Sequence, residues 1–400
     1  MLKKYFVDLH VHIGRTSDGA PVKVTAARSQ TIPGVLREAA LNKGLDILGI
    51  IDAACPRLCA ELEEMIAGGD LRELPGGGLR YADRLTLIPG AEIETTEANG
   101  KGAHWLAYFP DHAALRSFSD FYARQVTNPE LSTQRCHLPA MEIQNQVEKC
   151  SGLFMPAHAF TPHKGVYGQC TRSIKSLLGD KNYKGLFALE LGLSADTFLA
   201  DQLTELASFT FLSNSDAHSL KNLGREYNLL LLAEPSFEEL LLALHHFDGR
   251  QVLANYGLEP RLGKYHRSFC LSCNRIAEAA PPVSSCPTCG TTKIVKGVID
   301  RIHEIRDREE TADLPERPPY HYQVPLLFLP GVGPKTVSKL LEQFDTEMNV
   351  LHVVSYQDLV KVVGEKVAKV IQDARQGKLA LSAGGGGTYG KVVKEQGGAR

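Results

Sequence analysis

The chain has 400 residues, of which 43% are hydrophobic and 22% are charged, and its formal net charge is -2 at pH 7. This composition excludes a disordered or fibrous chain and suffices for one large folded domain with smaller modules attached. No apolar run reaches the roughly 20 residues of a membrane-spanning helix, and the first residues lack the apolar core of a signal peptide, so we expect a cytoplasmic protein without a membrane partner.

The first predicted strand, which begins near Tyr5, carries two histidines at alternate positions, His10 and His12. Residues at i and i+2 of an extended strand share a face, so both imidazoles can point at one ion. An ordinary polar strand edge would show the same pattern. The pair alone therefore leaves both a metal site and a plain strand edge open.

More residues of metal-ligand type lie at the ends or starts of other short apolar runs. In an α/β barrel such positions meet at the rim where active sites are assembled. The alternative for each single histidine is a satisfied core or surface residue. His163 is a further candidate, either for a phosphate contact or as a plain loop residue. The remaining candidates are Asp52, Glu92, His104, His158, Asp216 and His218.

Short apolar runs alternate with helical patterns over residues 1–250. Strands that alternate with helices predict a mainly parallel sheet, and about seven such units predict an α/β barrel. The stretches 18–32 and 68–84 are predicted as rim loops. The apolar runs are 5–10, 45–51, 85–93, 104–109, 153–156, 185–191 and 209–212, and the helical patterns include 32–43, 58–67, 113–124, 139–149 and 237–247.

Four cysteines form two pairs with the spacing of a zinc site. Cys270 and Cys273 are separated from Cys286 and Cys289 by twelve residues, and each pair encloses two. Four thiolates at this spacing complete a tetrahedral Zn²⁺ site without an open position, so we expect one structural zinc. The alternative is a coincidence of unrelated cysteines.

A Gly-x-Gly turn precedes a helix predicted over 337–344. Gly331 and Gly333 form the turn, and Lys335 and Thr336 follow it. Such a turn resembles a helix-hairpin-helix element, whose backbone N–H groups and adjacent lysine contact a DNA phosphate independently of sequence. A plain helical hairpin is the alternative. Gly364 could begin a degenerate second copy.

The C-terminal part is the more basic one. Residues 250–400 carry 21 Lys and Arg against 16 Asp and Glu, whereas the preceding residues carry 23 against 30. This balance gives weak support to nucleic-acid binding after the barrel. We divide the chain into a barrel (1–250), a linker with the zinc module (251–298), a helical DNA-binding domain (299–381) and a Gly-rich tail (382–400).

The linker mixes cations and aromatics, a composition that suits a pocket for a nucleic-acid base. Arg261, Lys264 and Tyr265 are candidates for DNA contact, beside residues 255–257 in the same linker and His163, Lys164 and Tyr167 on the barrel rim. A solvated linker is the alternative. The tail predicts either a disordered end or a segment that wraps onto DNA or a replication partner.

The predicted barrel carries a series of ordered motifs: DLHVH at 8–12, Asp52 at a strand end, PGAE at 89–92, His104, PAH at 156–158 and SDAH at 215–218. Taken together, these motifs resemble the polymerase-and-histidinol-phosphatase (PHP) superfamily of phosphoesterases. The full layout of barrel, four-cysteine module and helical region resembles the endonuclease Q family, which nicks DNA on the 5′ side of deaminated bases and abasic sites.

The resemblance implies a distorted seven-stranded barrel and a two- or three-metal centre. The chain departs from the superfamily at one place, because Ala53 follows Asp52 where a histidine is usual. One imidazole ligand is therefore absent, which puts a third metal in doubt. Cys55 could replace it, although a buried structural thiol is the more ordinary interpretation.

The expected ligand sets follow from two-metal chemistry, with Glu92 bridging two cations. We assign His10, His12, Glu92 and Asp216 to one metal and His104 and His158 with Glu92 to a second, and we place Asp52 with His218 at a neighbouring position. Histidine-rich shells favour Zn²⁺ or Mn²⁺, whereas oxygen shells favour Mg²⁺. The expected catalytic residues are Asp216, Glu92, His10 and His12.

The expected function is a metal-dependent endonuclease that repairs DNA containing uracil, hypoxanthine, xanthine or abasic sites. Its partners would be double- and single-stranded DNA, with a sliding clamp or helicase as further candidates. A small-molecule phosphatase of the PHP type would not need the C-terminal modules. A DNA-binding adaptor with an inactive centre is the third hypothesis, favoured only by Ala53.

Overall fold

The computed structural model describes residues 1–308 and 314–392. Its strands form one large mixed sheet and three small ones. The strands are β1 (Lys3–Val11), β2 (Ile47–Ile50), β3 (Leu71–Glu73), β4 (Leu79–Tyr81), β5 (Leu85–Glu94), β6 (His104–Tyr108), β7 (Leu153–Pro156), β8 (Ala188–Glu190), β9 (Thr210–Leu212), β10 (Tyr227–Leu232), β11 (Gln251–Gly257), β12 (Phe269–Cys270), β13 (Arg275–Ile276), β14 (Ile294–Val295), β15 (Tyr320–Tyr322), β16 (Leu381–Ser382) and β17 (Lys391–Val392).

Several helices contact strands of the large sheet, and the C-terminal helices pack on one another. Short 3-10 helices occur at Thr204–Leu206, Leu220–Asn222, Pro260–Leu262 and Leu326–Phe328, and π-helical turns at Glu38–Lys43 and Val166–Cys170. The α-helices are α1 (Ile32–Arg37), α2 (Pro56–Ala67), α3 (His112–Tyr122), α4 (Ala140–Lys149), α5 (Ile174–Lys184), α6 (Thr197–Ala200), α7 (Phe237–Leu244), α8 (Val298–Ile305), α9 (Pro334–Phe344), α10 (Glu347–His352), α11 (Tyr356–Val363) and α12 (Glu365–Arg375).

Helix α3 shows how the sequence sets these elements. The Asp111 side chain accepts a hydrogen bond from the Ala114 N–H at 2.8 Å and caps the first turn. Leu115, Phe118 and Tyr122 recur at helical spacing and are buried against the sheet. A capping residue before an apolar stripe specifies both where the helix begins and which face it buries.

The expectation of a mainly parallel sheet is wrong, because the large sheet is mixed. Strand β1 pairs in parallel with β2 but antiparallel with β10, and β5 pairs in parallel with β2 but antiparallel with β6. The loop of residues 95–103 between β5 and β6 contains no crossover helix, and a connection this short joins antiparallel neighbours. The predicted rim loop at 68–84 likewise contains the β3–β4 hairpin.

The predicted end of the barrel at residue 250 also differs from the structure. Strand β11 pairs with β10 in the large sheet, and β15 from the C-terminal half pairs with β11. Asn255 and Tyr256, expected in a linker pocket, lie inside this strand, where Asn255 is buried and Tyr256 stacks on Tyr227. The polar residues Gln251 and Asn255 made this strand resemble part of a polar linker.

The strand ends converge on one region. The Ala159 N–H donates to the Glu190 carbonyl at 2.9 Å and joins the ends of β7 and β8, and a bridge from Val11 to Ala217 joins the chain after β9 to β1. The ends of β1, β2 and β5 to β9 are thereby brought around a common cavity. Among the described residues, no helix is long and apolar enough to cross a membrane.

Glu226, the residue before β10, is expected to make the folding stability of the protein depend on pH. The side chain is fully buried; its Oε1 accepts from the Leu258 N–H at 2.7 Å, while Oε2 has no partner in the described structure. Burial raises the pKa of Glu226 from 4.5 to about 8. Its contribution to stability is thus fully present below pH 4.5 and is lost as the pH rises through about 8.

We expect Glu226→Gln to gain stability over the wild type as the pH rises from 5 to 8, because the amide does not ionise. The difference should grow by at most about 1.4 kcal/mol per pH unit and level off above pH 8. Thermal unfolding of both proteins across this range measures it. A difference that does not change with pH would contradict the assignment.

Candidate active site

The two histidines of β1 face the same cavity, as the alternation of a strand requires. His10 Nε2 lies 3.7 Å from Glu92 Oε1 and 3.5 Å from Asp216 Oδ1. His12 Nε2 lies 3.6 Å from Glu92 Oε2 and 3.5 Å from Asp216 Oδ1. Both imidazoles are buried. Separations of this size between lone-pair donors leave room for an ion among them.

Glu92 also belongs to a second group of donors. Its Oε1 lies 2.9 Å from His104 Nδ1 and 3.3 Å from His158 Nε2. These two ring nitrogens are 3.4 Å apart. Glu92 therefore lies between two clusters, one with His10 and His12 and the other with His104 and His158.

Asp216 and His218 complete a third cluster with His12. His218 Nδ1 lies 3.4 Å from Asp216 Oδ1, and the His218 and His12 rings have centroids 4.3 Å apart. Asp216 has a φ of 45° and His158 a φ of 28°, in the left-handed region that side chains other than glycine rarely adopt. Strain of this kind is concentrated at functional sites, where the surrounding structure holds it.

Two carboxylates lie behind the histidines of β1. Glu190 Oε2 lies 2.9 Å from His10 Nδ1, and Asp52 Oδ1 lies 3.1 Å from His12 Nδ1. An ionised carboxylate only accepts, so each Nδ1–H donates to it and the Nε2 lone pair is directed into the cavity. Sequence reasoning missed Glu190, which lies inside the apolar run predicted at 185–191 and is the last residue of β8.

The placement of Asp52 differs from the expected one. Asp52 also accepts a hydrogen bond from Ser132 and lies behind His12, apart from His218. It orients a histidine instead of joining a ligand cluster of the described residues. The Cys55 thiol donates to the Glu130 carbonyl at 3.3 Å, consistent with a buried structural thiol.

Two further residues that the sequence did not single out contact the site. Lys23 Nζ donates to Glu92 Oε2 at 2.9 Å. Glu94 Oε2 lies 3.6 Å from His104 Nε2, and its Oε1 accepts from Lys164 Nζ at 2.6 Å. Lys23 lies in a predicted rim loop, where no local pattern distinguishes it. Glu94 follows Glu92 by two residues on β5 and shares its face.

The electrostatics of the cavity favour bound positive charge. Burial alone would raise the pKa of Glu92, yet His104 and Lys23 hold it well below its ordinary value. Burial would likewise lower the pKa of His10, but Glu190 and Asp216 raise it to about 10. The carboxylates thus hold a proton on a buried imidazole. A divalent cation supplies the same positive charge when it displaces that proton.

The donor set fits metal ions. His10 Nε2 and His158 Nδ1 are buried without a hydrogen-bond partner in the described structure. An unpartnered buried nitrogen is costly unless a ligand satisfies it. Mixed imidazole and carboxylate donors suit Zn²⁺ or Mn²⁺ more than Mg²⁺. The residues around Glu92 therefore form a candidate centre for divalent cations.

Gly192 supports this centre and gives a prediction. Its φ is +82°, and a Cβ there would lie 2.8 Å from the Cβ of His158. We expect Gly192→Ala to displace His158 and to lower any catalytic activity of this site about 10- to 100-fold. Single-turnover kinetics measure the loss. Gly100→Ala, which has a similar φ of +74° but open space around it, is the matched control. Equal activity of the two variants would contradict the role given to Gly192.

A cavity of about 620 Å³ opens over the metal-ligand candidates. His163, Lys164, Lys264 and Tyr265 line it, and the His163 and Tyr265 rings meet edge to face with centroids 4.8 Å apart. Arg261 instead pairs with Glu259 at 2.7 Å and does not line this cavity. The predicted pocket residues are thus only partly brought together.

The cysteine pairs come together as four sulfurs within 4.8 Å of one another. Cys270 Sγ lies 3.8 Å from Cys289 Sγ, and Cys273 Sγ lies 3.9 Å from Cys286 Sγ. Zn–S bonds of about 2.3 Å in a tetrahedron place sulfurs about 3.8 Å apart. The backbone N–H of Cys289 lowers the pKa of Cys286 to about 6, which favours the thiolate. The geometry fits one zinc ion.

The Gly-x-Gly turn lies at the start of α9. Gly331 has a φ of +83°, Gly333 precedes the first turn, and Lys335 in that turn is exposed. Thr336 is half-buried beside it. Gly364, with a φ of +78°, forms the corresponding turn between α11 and α12. Helices α9 and α12 thus each begin after a glycine that provides no side-chain cap.

Comparison with known proteins covers the whole chain, although no family model matches it. The uncharacterized protein YqxK of Bacillus subtilis is 45% identical over 392 residues, which cover 98% of this chain and 100% of YqxK. The crystal structure of the lesion-specific endonuclease PfuEndoQ from Pyrococcus furiosus has a TM-score of 0.82 and 32% identity, covering 100% of this chain and 98% of PfuEndoQ. Endonuclease Q in complex with a 27-mer duplex substrate, with an abasic lesion at the active site, gives 0.81 and 32%, covering 98% of each chain.

A mixed α/β fold whose strand ends converge on buried histidines and carboxylates defines a metal-dependent hydrolase. The match to PfuEndoQ extends over the entire chain, including the four-cysteine module, at 32% identity. The chain therefore belongs to the endonuclease Q family and is an endonuclease.

Proposed function

We propose that this protein hydrolyses the DNA phosphodiester bond on the 5′ side of deaminated bases (uracil, hypoxanthine and xanthine) and of abasic sites. The observation that carries the proposal is the cavity over the Glu92 clusters in a chain that matches lesion-specific endonuclease Q from end to end. The products would be a 3′-hydroxyl and a 5′-phosphate.

The roles of the site residues follow from their positions. Glu92 holds the two clusters together, with His10 and His12 on one side and His104 and His158 on the other. We propose that these residues, with Asp216 and His218, hold two or three divalent cations, of zinc, manganese or magnesium. Such ions activate water and neutralise charge that develops at phosphorus.

The residues behind the ligands set the geometry of the reaction. Glu190 and Asp52 fix the rings of His10 and His12 so that Nε2 points into the cavity. Lys23 beside Glu92 keeps that carboxylate ionised and adds a positive charge near the phosphate. Closely fixed groups of this kind reduce the reorganisation that the reaction requires.

We propose that the strand ends around the cavity form the distorted seven-stranded PHP barrel. The zinc module and the helical region would grip duplex DNA beside it. Gly331, Gly333, Lys335 and Thr336 would contact a phosphate at the start of α9, as the exposure of Lys335 allows. Single-stranded DNA would enter the same cavity, because its lesion is already unpaired. In a duplex, the lesion must first leave the helix.

The cellular setting is a further part of the proposal. Four thiols arranged as a metal site suit the reducing cytoplasm. A replication clamp or helicase would bring the enzyme to damaged DNA. Capture of either protein by the full-length chain, compared with an unrelated DNA-binding protein, would test that partnership.

A nicking assay on end-labelled duplexes tests the function. Each duplex holds one uracil, hypoxanthine, xanthine, abasic site or normal base, and each is tested with Mg²⁺, Mn²⁺ or Zn²⁺. We expect a lesion-dependent nick that is lost in Asp216→Ala. Hydrolysis of small phosphomonoesters without nicking would favour the phosphatase hypothesis, and DNA binding without any hydrolysis would favour the adaptor.

A further inference from the structure

Arg225 is fixed on the wall of the active-site cavity, although no carboxylate within the described ranges forms an ion pair with it. Its side chain donates to the backbone carbonyls of Ser215 at 2.6 Å and Asp216 at 3.1 Å, and to the Tyr389 hydroxyl at 2.6 Å. The residue is only 5% exposed. These bonds tie the guanidinium to the loop that carries Asp216.

Lys264 lies beside Arg225 on the same wall. Its Nζ is 4.6 Å from the centre of the Tyr389 ring, and the carbon of the Arg225 guanidinium is 5.6 Å from the same ring centre. Burial and the neighbouring Arg225 lower the pKa of Lys264. Two cations thus share one aromatic ring inside a cavity.

Tyr389 comes from the Gly-rich tail, which is a hairpin over residues 381–392; residues 393–400 of the predicted tail lie outside the described structure. The Gly384 N–H donates to the Arg261 carbonyl at 2.6 Å, and the Gly390 N–H donates to the Leu262 carbonyl at 2.9 Å. A Cβ at Gly390 would lie 2.2 Å from the Ser382 carbonyl oxygen. The glycines therefore permit a close backbone contact, so the described part of the tail is neither a disordered end nor free to wrap DNA.

The two cations on this wall have no directly paired carboxylate among the described residues. Asp216 and Glu226 act on Lys264 and Arg225 only from beyond ion-pair distance, and burial raises the pKa of Glu226 to about 8, which favours its neutral form. A buried guanidinium without a paired carboxylate is costly, and placing a second cation beside it adds repulsion. An anion that enters the cavity removes both costs. Because the scissile phosphate is expected at the Glu92 clusters, this anion would be a different one.

We propose that Arg225, Lys264 and Tyr389 form a binding subsite for a non-scissile DNA phosphate next to the cut, and that the C-terminal hairpin thereby supplies an active-site residue. The inference rests on the proposed nicking of lesion DNA. Tyr389 is a positioning residue in this subsite, because its ring holds Lys264 and its hydroxyl meets Arg225. The subsite fixes the register of the strand relative to the metal centre.

Neutral phosphate analogues test the subsite on the full-length enzyme. A set of abasic duplexes carries one uncharged methylphosphonate at each position flanking the cut in turn. We expect wild-type nicking to fall about 10-fold or more at one position, where a charge-assisted contact is lost. Lys264→Gln should nick the unmodified duplex more slowly than the wild type does. The methylphosphonate at that position should not slow this variant further.

Variants of the hairpin separate positioning from general charge. In Tyr389→Ala, the methylphosphonate at that position should slow nicking less than it does in the wild type. Tyr389→Phe keeps the ring and should retain most of the wild-type effect. Lys391→Ala removes an exposed cation from the same hairpin and should leave the position-specific pattern of the wild type unchanged. Zinc content and melting temperature confirm that each variant folds.

Each outcome decides the proposal. The same methylphosphonate pattern in the wild type and Lys264→Gln, with normal nicking, would overturn the subsite and leave the proposed function standing. An absence of wild-type nicking on every unmodified lesion duplex would overturn the proposed function and the subsite with it. The proposal is supported if a methylphosphonate at one flanking position slows nicking by the wild type and by Tyr389→Phe. The same methylphosphonate should have little effect on Lys264→Gln and Tyr389→Ala.

Discussion

Replacing Glu92 by glutamine is expected to lower nicking of lesion DNA by about 100- to 1000-fold or more, because one carboxylate serves both clusters. The amide keeps the size of the side chain but removes the charge that faces His10, His104 and Lys23. Bound metal should fall with activity. Single-turnover nicking and metal analysis of the purified protein measure the two effects.

Glu94→Gln is the matched control for this substitution. Glu94 lies two residues along the same strand, outside the ligand clusters, where it pairs with Lys164 at 2.6 Å and lies 3.6 Å from His104 Nε2 without facing a second cluster. We expect its nicking rate to fall by no more than about 10-fold, since a partly exposed ion pair contributes little. If the nicking rate of Glu92→Gln also falls by no more than about 10-fold, Glu92 does not serve both clusters as a metal ligand.

Replacing Cys273 by serine is expected to remove the structural zinc and unfold its module. A structural zinc contributes about 10 to 16 kcal/mol to small zinc-binding peptides, which exceeds what the short β12–β14 sheet can supply. We expect one zinc fewer per chain and rapid proteolysis within residues 268–296. The Lys264 segment precedes the module directly, so DNA binding should weaken as well.

The control for the zinc variant is Cys150→Ser, a buried cysteine remote from the module. It tests whether loss of any buried thiol has the same effect. We expect Cys150→Ser to keep its zinc and its resistance to protease. Equal zinc content in the two variants would show that the four cysteines do not hold the ion.

Much of the site could be predicted because strand geometry is local. The spacing of His10 and His12 on one strand is enough to aim both rings at one point, and the structure brings them to Glu92 and Asp216. The four-cysteine spacing is equally informative, since it implies a closed tetrahedron. Such patterns need no knowledge of the rest of the fold.

The site residues that were missed or given another role depend mostly on contacts between distant parts of the chain. Lys23 reaches Glu92 from a loop, and Asp52 takes a position behind His12 that its place at a strand end does not reveal. Composition also misled for the tail, where glycines permit a close contact with residues 261–264. The mixed sheet, by contrast, could have been anticipated from the short connection between β5 and β6.

The position and chemistry of the nick test the central claim most directly. A duplex with a single uracil, labelled at either end, is treated with the enzyme and then with DNA ligase; the same duplex with thymine is the control. The account predicts one cut immediately 5′ to the uracil, no cut beside thymine, and resealing by ligase because the ends are a 3′-hydroxyl and a 5′-phosphate. A cut on the 3′ side, ends that ligase cannot join, or equal cutting beside thymine would contradict it.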